Sequence, residues 1–156
     1  MTKLEHIENR LHSNSIHMYE FAIDDSIKAM SLITKGKKAI ALNKNILCGK
    51  ADEASVLAEE LGHFDTGAFY AITPCINTPI GRSNRIKCEG VAKGWAYREY
   101  CAPDEIEMAH RQEGVYGDYA MAEYWQVTVD FLQRAIEYHR SCGVVFSFDN
   151  DNYDSA

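Results

Sequence analysis

Residues 51–70 read ADEASVLAEELGHFDTGAFY, and the fold of the chain is best understood from this segment. Its apolar residues recur at helical spacing, which predicts a helix with one face packed against the core. That face carries Leu57, Leu61, Phe64 and Ala68. Glu59 and His63 lie beside it, one helical turn apart, so their side chains point the same way and can chelate one ion.

The segment EELGH, residues 59–63, differs by one residue from H-E-x-x-H, the helical signature of zinc peptidases. In that signature the two histidines hold the metal, and the glutamate after the first takes a proton from water. Glu59 stands in the first histidine's place, and Glu60 is the candidate general base. A carboxylate can bind zinc, but its hardness and charge shift the preference toward manganese or iron.

The alternative is an ordinary solvated helix, because E-x-x-x-H pairs recur by chance. Gly62 favours the site, since a glycine inside a helix costs about 1 kcal/mol and indicates close packing there. The next predicted helix supplies a third candidate ligand: Glu89 shares one face with the small residues Ala92 and Ala96, which permits close helix approach. Without that context Glu89 is an exposed first-turn carboxylate. Asp65 is a candidate acceptor for an imidazole N–H or an alternative ligand.

The rest of the chain predicts an α+β fold with an N-terminal helix, a short three-stranded antiparallel sheet and a helical C-terminal half. The predicted helices cover residues 2–12, 52–65, about 84–101, 103–112, 117–124 and 128–140. The predicted strands lie in IHMYEFAI, MSLIT and KAIALN, with the last two joined by a turn at Gly36. A long irregular connection follows the 52–65 helix. We expect one domain over residues 1–148 and an acidic flexible tail over 149–156.

Composition narrows the function classes. The chain has 156 residues, 46% of them hydrophobic, and a formal charge of −7, which argues against direct binding to nucleic acid. No window is long and apolar enough for a membrane span, and we expect a cytoplasmic protein. Five widely spaced cysteines without a C-x-x-C motif indicate reduced, mostly buried thiols: Cys48, Cys75, Cys88, Cys101 and Cys142.

With these motifs in place, the chain resembles the ImmA/IrrE family of metallopeptidases from phages and other mobile elements. The resemblance covers KGKKAIALNKN, VLAEELGHFDTG, CEGVAKGWAYREYCAPDEI and YAMAEYWQVTVDFLQRAIEYH. The family pattern is H-E-x-x-H followed by E-x-x-A-x-x-[FW]-A, and a subgroup reads LAEELGH as this chain does. The resemblance implies a small zincin-like domain in which His63 and Glu89 bind the metal, Glu60 is the base and Glu59 occupies the first ligand's position.

The resemblance also implies a function: metal-dependent cleavage of a helix-turn-helix repressor encoded by a phage or mobile element. Its cofactor would be one divalent ion, zinc first, with manganese and iron as alternatives. The acidic chain suits a basic DNA-binding partner, because opposite charge speeds encounter.

Two other classes stay open. Because of Glu59, the chain is alternatively a catalytically silent regulator that binds the repressor without cutting it. A DNA-binding module is the third class, with Val127 and Thr128 at the turn of a helix-turn-helix. Its candidate recognition helix has only Arg134 as a basic residue, near Asp130 and Glu137, which is too little positive charge to bind phosphate. Five histidines are expected at the surface or at helix ends: His6, His12, His17, His110 and His139. Four aromatic residues are expected in the core: Trp95, Tyr97, Trp125 and Phe131.

Overall fold

The computed structural model describes residues 2–21, 26–70, 77–112, 115 and 117–149. Within these residues the chain begins with helix α1 (Lys3–Ser13) and continues with strands β1 (Ile16–Glu20), β2 (Ala29–Thr34) and β3 (Lys37–Leu42). Five further helices follow: α2 (Lys50–Thr66), α3 (Pro79–Tyr100), α4 (Pro103–His110), α5 (Gly117–Trp125) and α6 (Val129–Ser141). The predicted α+β class is therefore confirmed. No helix of the described residues is both long and apolar enough to cross a membrane.

The sheet corrects one part of the prediction. β2 and β3 form the expected antiparallel hairpin around Gly36, but β1 pairs with β3 in parallel, so the sheet is mixed rather than antiparallel. The strand order is β1-β3-β2. β3 lies between the two earlier strands, parallel to β1 and antiparallel to β2. β2 is consequently an edge strand.

One hydrophobic core joins the sheet to the helices. Its members include Ile40, Leu61 and Leu132, each with 0% exposure, together with Tyr97 and Phe131. Trp95 and Trp125 are partly buried against the same core, so the expected core positions of the four aromatic residues are confirmed. Because Leu57, Leu61 and Phe64 are buried while Asp65 is exposed, α2 presents the predicted apolar face inward.

The helix boundaries follow recognisable end signals. α2 ends at Gly67, whose φ of 68° lies in the left-handed region that glycine adopts most easily. Ala68, predicted for the apolar face, therefore lies beyond the helix. α3 begins at Pro79, earlier than the predicted residue 84, because the Thr78 hydroxyl caps the amide of Gly81 and proline suits a first turn.

The prediction about the histidines holds, whereas the one about the cysteines is wrong. His139 lies in the last turn of α6, a helix end as predicted, but it is buried, with 3% exposure, and donates from Nε2 to the carbonyl oxygen of Cys101 at 2.8 Å. His6, His12 and His17 are exposed as predicted, and His110 ends α4 against Phe148. Of the four cysteines in the described residues, all free, only Cys101 is buried, whereas Cys48 and Cys142 are exposed. Cys75, residues 71–76 of the irregular connection and residues 150–156 of the tail lie outside the described residues.

Candidate functional site

The packing of α2 against α3 positions the candidate site. Gly62 faces the backbone of Ala92: a Cβ at position 62 would overlap the carbonyl oxygen of Ala92 and lie 3.0 Å from its carbon. Ala92 and Ala96 are both fully buried, which confirms the predicted small-residue face of α3. This close approach brings the polar residues beside Gly62 opposite those beside Ala92. The glycine is thus explained by the contact that the sequence pattern indicated.

Two polar pairs connect the helices next to that contact. His63 Nε2 lies 3.8 Å from Glu89 Oε2, and Glu59 Oε2 lies 3.8 Å from Lys93 Nζ. Since 59 faces 93 and 63 faces 89, the two helices run antiparallel where they cross. The structure therefore brings His63 and Glu89 together as predicted, whereas Glu59 is directed to a lysine.

The ring of His63 is oriented by a backbone carbonyl. Nδ1 lies 2.6 Å from the oxygen of Ala68 and donates to it, so Nε2 is the nitrogen that faces Glu89. Ligating histidines are held in this way, with one nitrogen donating to a carbonyl or carboxylate and the other facing the ion. Asp65, which we predicted for this task, instead lies 2.7 Å from Arg10 of α1. The structure therefore does not bring Asp65 to the imidazole, whose Nδ1 acceptor is the backbone oxygen of Ala68.

Glu60 is held by the edge strand. The Ser31 hydroxyl of β2 donates to Glu60, lying 2.5 Å from Oε2, and is 3.0 Å from the backbone oxygen of the same residue. Near the start of α2 the carboxylate of Asp52 binds Lys28 Nζ at 2.8 and 2.9 Å. These two links from the β2 region fix α2 against the sheet at two points. The carboxylate of Glu60 is consequently oriented rather than free to rotate.

A cleft of about 440 Å³ exposes these groups to ligands. Glu59, Glu60, His63 and Glu89 all line it. Residues 26–31 line it consecutively, so the edge of β2, rather than one of its faces, borders the cleft. An edge strand offers unpaired backbone donors and acceptors to an extended peptide.

Burial and hydrogen bonding tune the acids in this cleft. Burial raises the pKa of Glu59 and of Glu60, against the opposing effects of Lys93 and Ser31 respectively. The nearby imidazole of His63, 3.8 Å away, instead holds the pKa of Glu89 below its ordinary value. Burial alone would lower the pKa of His63, but the bonds to Glu89 and Ala68 outweigh it and raise that pKa. The cleft therefore contains two carboxyl groups with a raised pKa, Glu59 and Glu60, and one, Glu89, whose pKa is lowered beside His63.

The fit of these residues to a divalent ion is partial. His63 and Glu89 converge with the geometry of ligands, and Glu59 reaches the same point only by leaving Lys93. Accordingly, among the described residues no three His, Cys, Asp or Glu side chains converge closely enough to hold an ion. Hard oxygen donors with one imidazole suit zinc, manganese and iron.

Sequence reasoning missed Ser31 and Tyr70, which line the cleft, and Lys93, which pairs with Glu59 beside it. Lys93 was detectable, because it follows Glu89 by four residues and shares its helix face. Ser31 was detectable only as a polar residue within the apolar run of the predicted strand MSLIT. Tyr70 gave no signal. Burial and its hydrogen bond to Glu89 raise the pKa of Tyr70 to about 12, so its hydroxyl remains a donor at neutral pH.

Comparison with known proteins adds no assignment: no protein-family model, curated protein or solved structure matches the chain.

Proposed function

We propose that this chain is a metal-dependent endopeptidase of the ImmA/IrrE type, whose substrate is a helix-turn-helix repressor of a phage or mobile element. The observation that carries the proposal is the orientation of His63, whose Nδ1 is occupied by Ala68 while Nε2 faces Glu89. The proposed general base, the half-buried Glu60, lies in the same cleft, three residues before His63.

The chain's own residues supply most of the chemistry of peptide hydrolysis. A divalent ion bound by His63, Glu89 and Glu59 would polarise the peptide carbonyl. Glu60 removes a proton from the attacking water and delivers it to the nitrogen of the leaving amine. The raised pKa of Glu60 suits both steps, because a base of intermediate strength takes the proton readily and also returns it. Ser31 keeps the carboxylate aimed into the cleft.

The cleft also supports a peptide substrate. An extended segment laid along the edge of β2 satisfies the unpaired backbone groups of the strand and passes the side chains of Glu60 and His63. Hydrolysis requires the scissile bond to stay within reach of the base, and backbone pairing provides that register. A DNA-binding role has less support, because Arg134 of α6 is paired with Asp130 at 2.9 Å.

The second candidate is a silent regulator that binds the repressor in this cleft without cutting it. The ion pair between Glu59 and Lys93 favours the silent regulator, because the pair occupies one of the three proposed metal ligands. Both candidates predict binding of the repressor, so cleavage and metal content distinguish them.

The direct test is a cleavage assay with the purified helix-turn-helix protein encoded beside this chain's gene. We expect two fragments when zinc or manganese is supplied and an intact partner after treatment with a chelator. The fragments should be absent with the His63→Ala variant. An intact partner under all metal conditions, together with stable complex formation, would reject the peptidase and support the silent regulator.

A further inference from the structure

Lys93 occupies a position that the proposed chemistry does not use. It lies on α3 one turn after Glu89, opposite Glu59 of α2, and its Nζ is 3.8 Å from Glu59 Oε2. The side chains of Lys93 and Glu59 are 32% and 31% exposed, so the pair is neither fully solvated nor fully buried. The contact between Gly62 and Ala92 fixes the spacing of the two helices beside it.

The charge of this pair has a chemical consequence. A histidine at position 59 would be neutral when it binds a metal, whereas Glu59 adds a full negative charge to the two carboxylates of Glu60 and Glu89. The ammonium of Lys93 cancels the negative charge of one carboxylate. The pair of Glu59 and Lys93 thus has zero net charge, as a neutral histidine at position 59 would have.

The same ion pair also occupies the carboxylate of Glu59, which is a proposed metal ligand. In this structure the carboxylate of Glu59 is directed to the ammonium, while His63 and Glu89 face each other one turn away. An ion that takes Glu59 as a ligand has to break this pair, and it then lies close to the displaced ammonium. Both effects oppose binding, since the pair's attraction is lost and like charges approach each other.

We propose that Lys93 and a divalent metal ion compete for Glu59, so that Lys93 sets how tightly the site binds its ion. The inference rests on the proposed function in one respect, the role of Glu59 as a ligand. Lys93 is a positioning residue here, because it acts on the ion through the carboxylate. The site has two states, one with Glu59 paired to Lys93 and one with Glu59 on the ion, and the concentration of free metal selects between them.

The test measures zinc affinity of the full chain by competition with a chromophoric chelator. Lys93→Met removes the charge and keeps an unbranched side chain, so we expect zinc to bind at least about tenfold more tightly than in the parent. In the Glu59→Ala background the same exchange frees no ligand, and the gain should fall to about threefold or less, from relief of charge repulsion alone. The readout is metal binding and needs no cleavage.

Two further variants control for charge and folding. Lys87→Met removes an exposed positive charge from the same helix without touching the cleft, and should change zinc affinity by no more than about twofold. Lys93→Arg keeps the charge opposite Glu59 and should bind zinc as weakly as the parent. Circular dichroism of each variant verifies that the fold is retained.

The outcomes separate this inference from the proposed function. An equal gain from Lys93→Met with and without Glu59, no gain, or a gain with Lys93→Arg would overturn the competition. A tighter zinc site in Lys93→Met, with no cleavage by either protein, would keep the competition and reject the peptidase. Cleavage by a metal-bound parent, with no gain in zinc affinity in Lys93→Met, would keep the peptidase and reject the competition.

Discussion

The Glu60→Gln variant is expected to bind metal with the parent's affinity and to cleave the repressor about 10²- to 10⁴-fold more slowly, the usual contribution of a general base. The amide keeps the shape of the side chain and still accepts the hydrogen bond from Ser31, so the fold should be undisturbed. It has no basic oxygen, and the attacking water then loses its proton acceptor.

The measurement is the rate of fragment formation under single-turnover conditions, with metal content determined on the same samples. Glu53→Gln is the matched control: it makes the same exchange on α2, but Glu53 does not line the cleft and pairs with Lys44 at 4.0 Å. We expect the control to cleave like the parent. Undiminished cleavage by Glu60→Gln would remove Glu60 from the chemistry.

The Gly62→Ala variant is expected to lose about 2 kcal/mol or more of unfolding free energy, a typical cost of forcing an extra carbon into a packed interface. The new Cβ meets the backbone of Ala92, which cannot turn aside as a flexible side chain would. Because α3 has to move away, Glu89 should separate from His63, and metal binding should weaken together with stability.

Gly90 provides the matched control on the facing helix. A Cβ at Gly90 meets nothing within 4 Å, so Gly90→Ala should instead stabilise the protein by roughly 0.5–1 kcal/mol through the higher helix propensity of alanine. Urea denaturation of the two variants measures both effects. Equal stabilities for Gly62→Ala and Gly90→Ala would contradict the close contact between α2 and α3.

The sequence predicted those parts of the fold that follow from local patterns. The apolar spacing of Leu57, Leu61 and Phe64 fixed α2 and its buried face, and the turn at Gly36 fixed the β2-β3 hairpin. The order of the strands was not predictable in this way, because β1 has the same alternation whether it pairs in parallel or antiparallel. The burial of His139 at the end of α6 was not predictable for a related reason: its acceptor, the carbonyl of Cys101, is distant in sequence.

The candidate site was likewise predictable only where it follows from local patterns. Helical periodicity correctly placed Glu59 and His63 on one face of α2, and the small residues of α3 correctly predicted its approach with Glu89. Side-chain direction beyond the helix surface was not predictable. Asp65 follows His63 by two residues, yet it turns to Arg10, and the acceptor for the imidazole is a backbone oxygen that no side-chain pattern reveals.

Elemental analysis tests the central claim, a metal site built on His63, most directly. The parent, His63→Ala and His12→Ala would be purified without chelator, equilibrated with zinc and passed through a desalting column before analysis. His12 is an exposed histidine of α1 outside the cleft, so its variant controls for adventitious binding. We predict close to one zinc per chain in the parent and in His12→Ala, and none in His63→Ala. Equal metal in all three proteins, or none in the parent, would contradict the account.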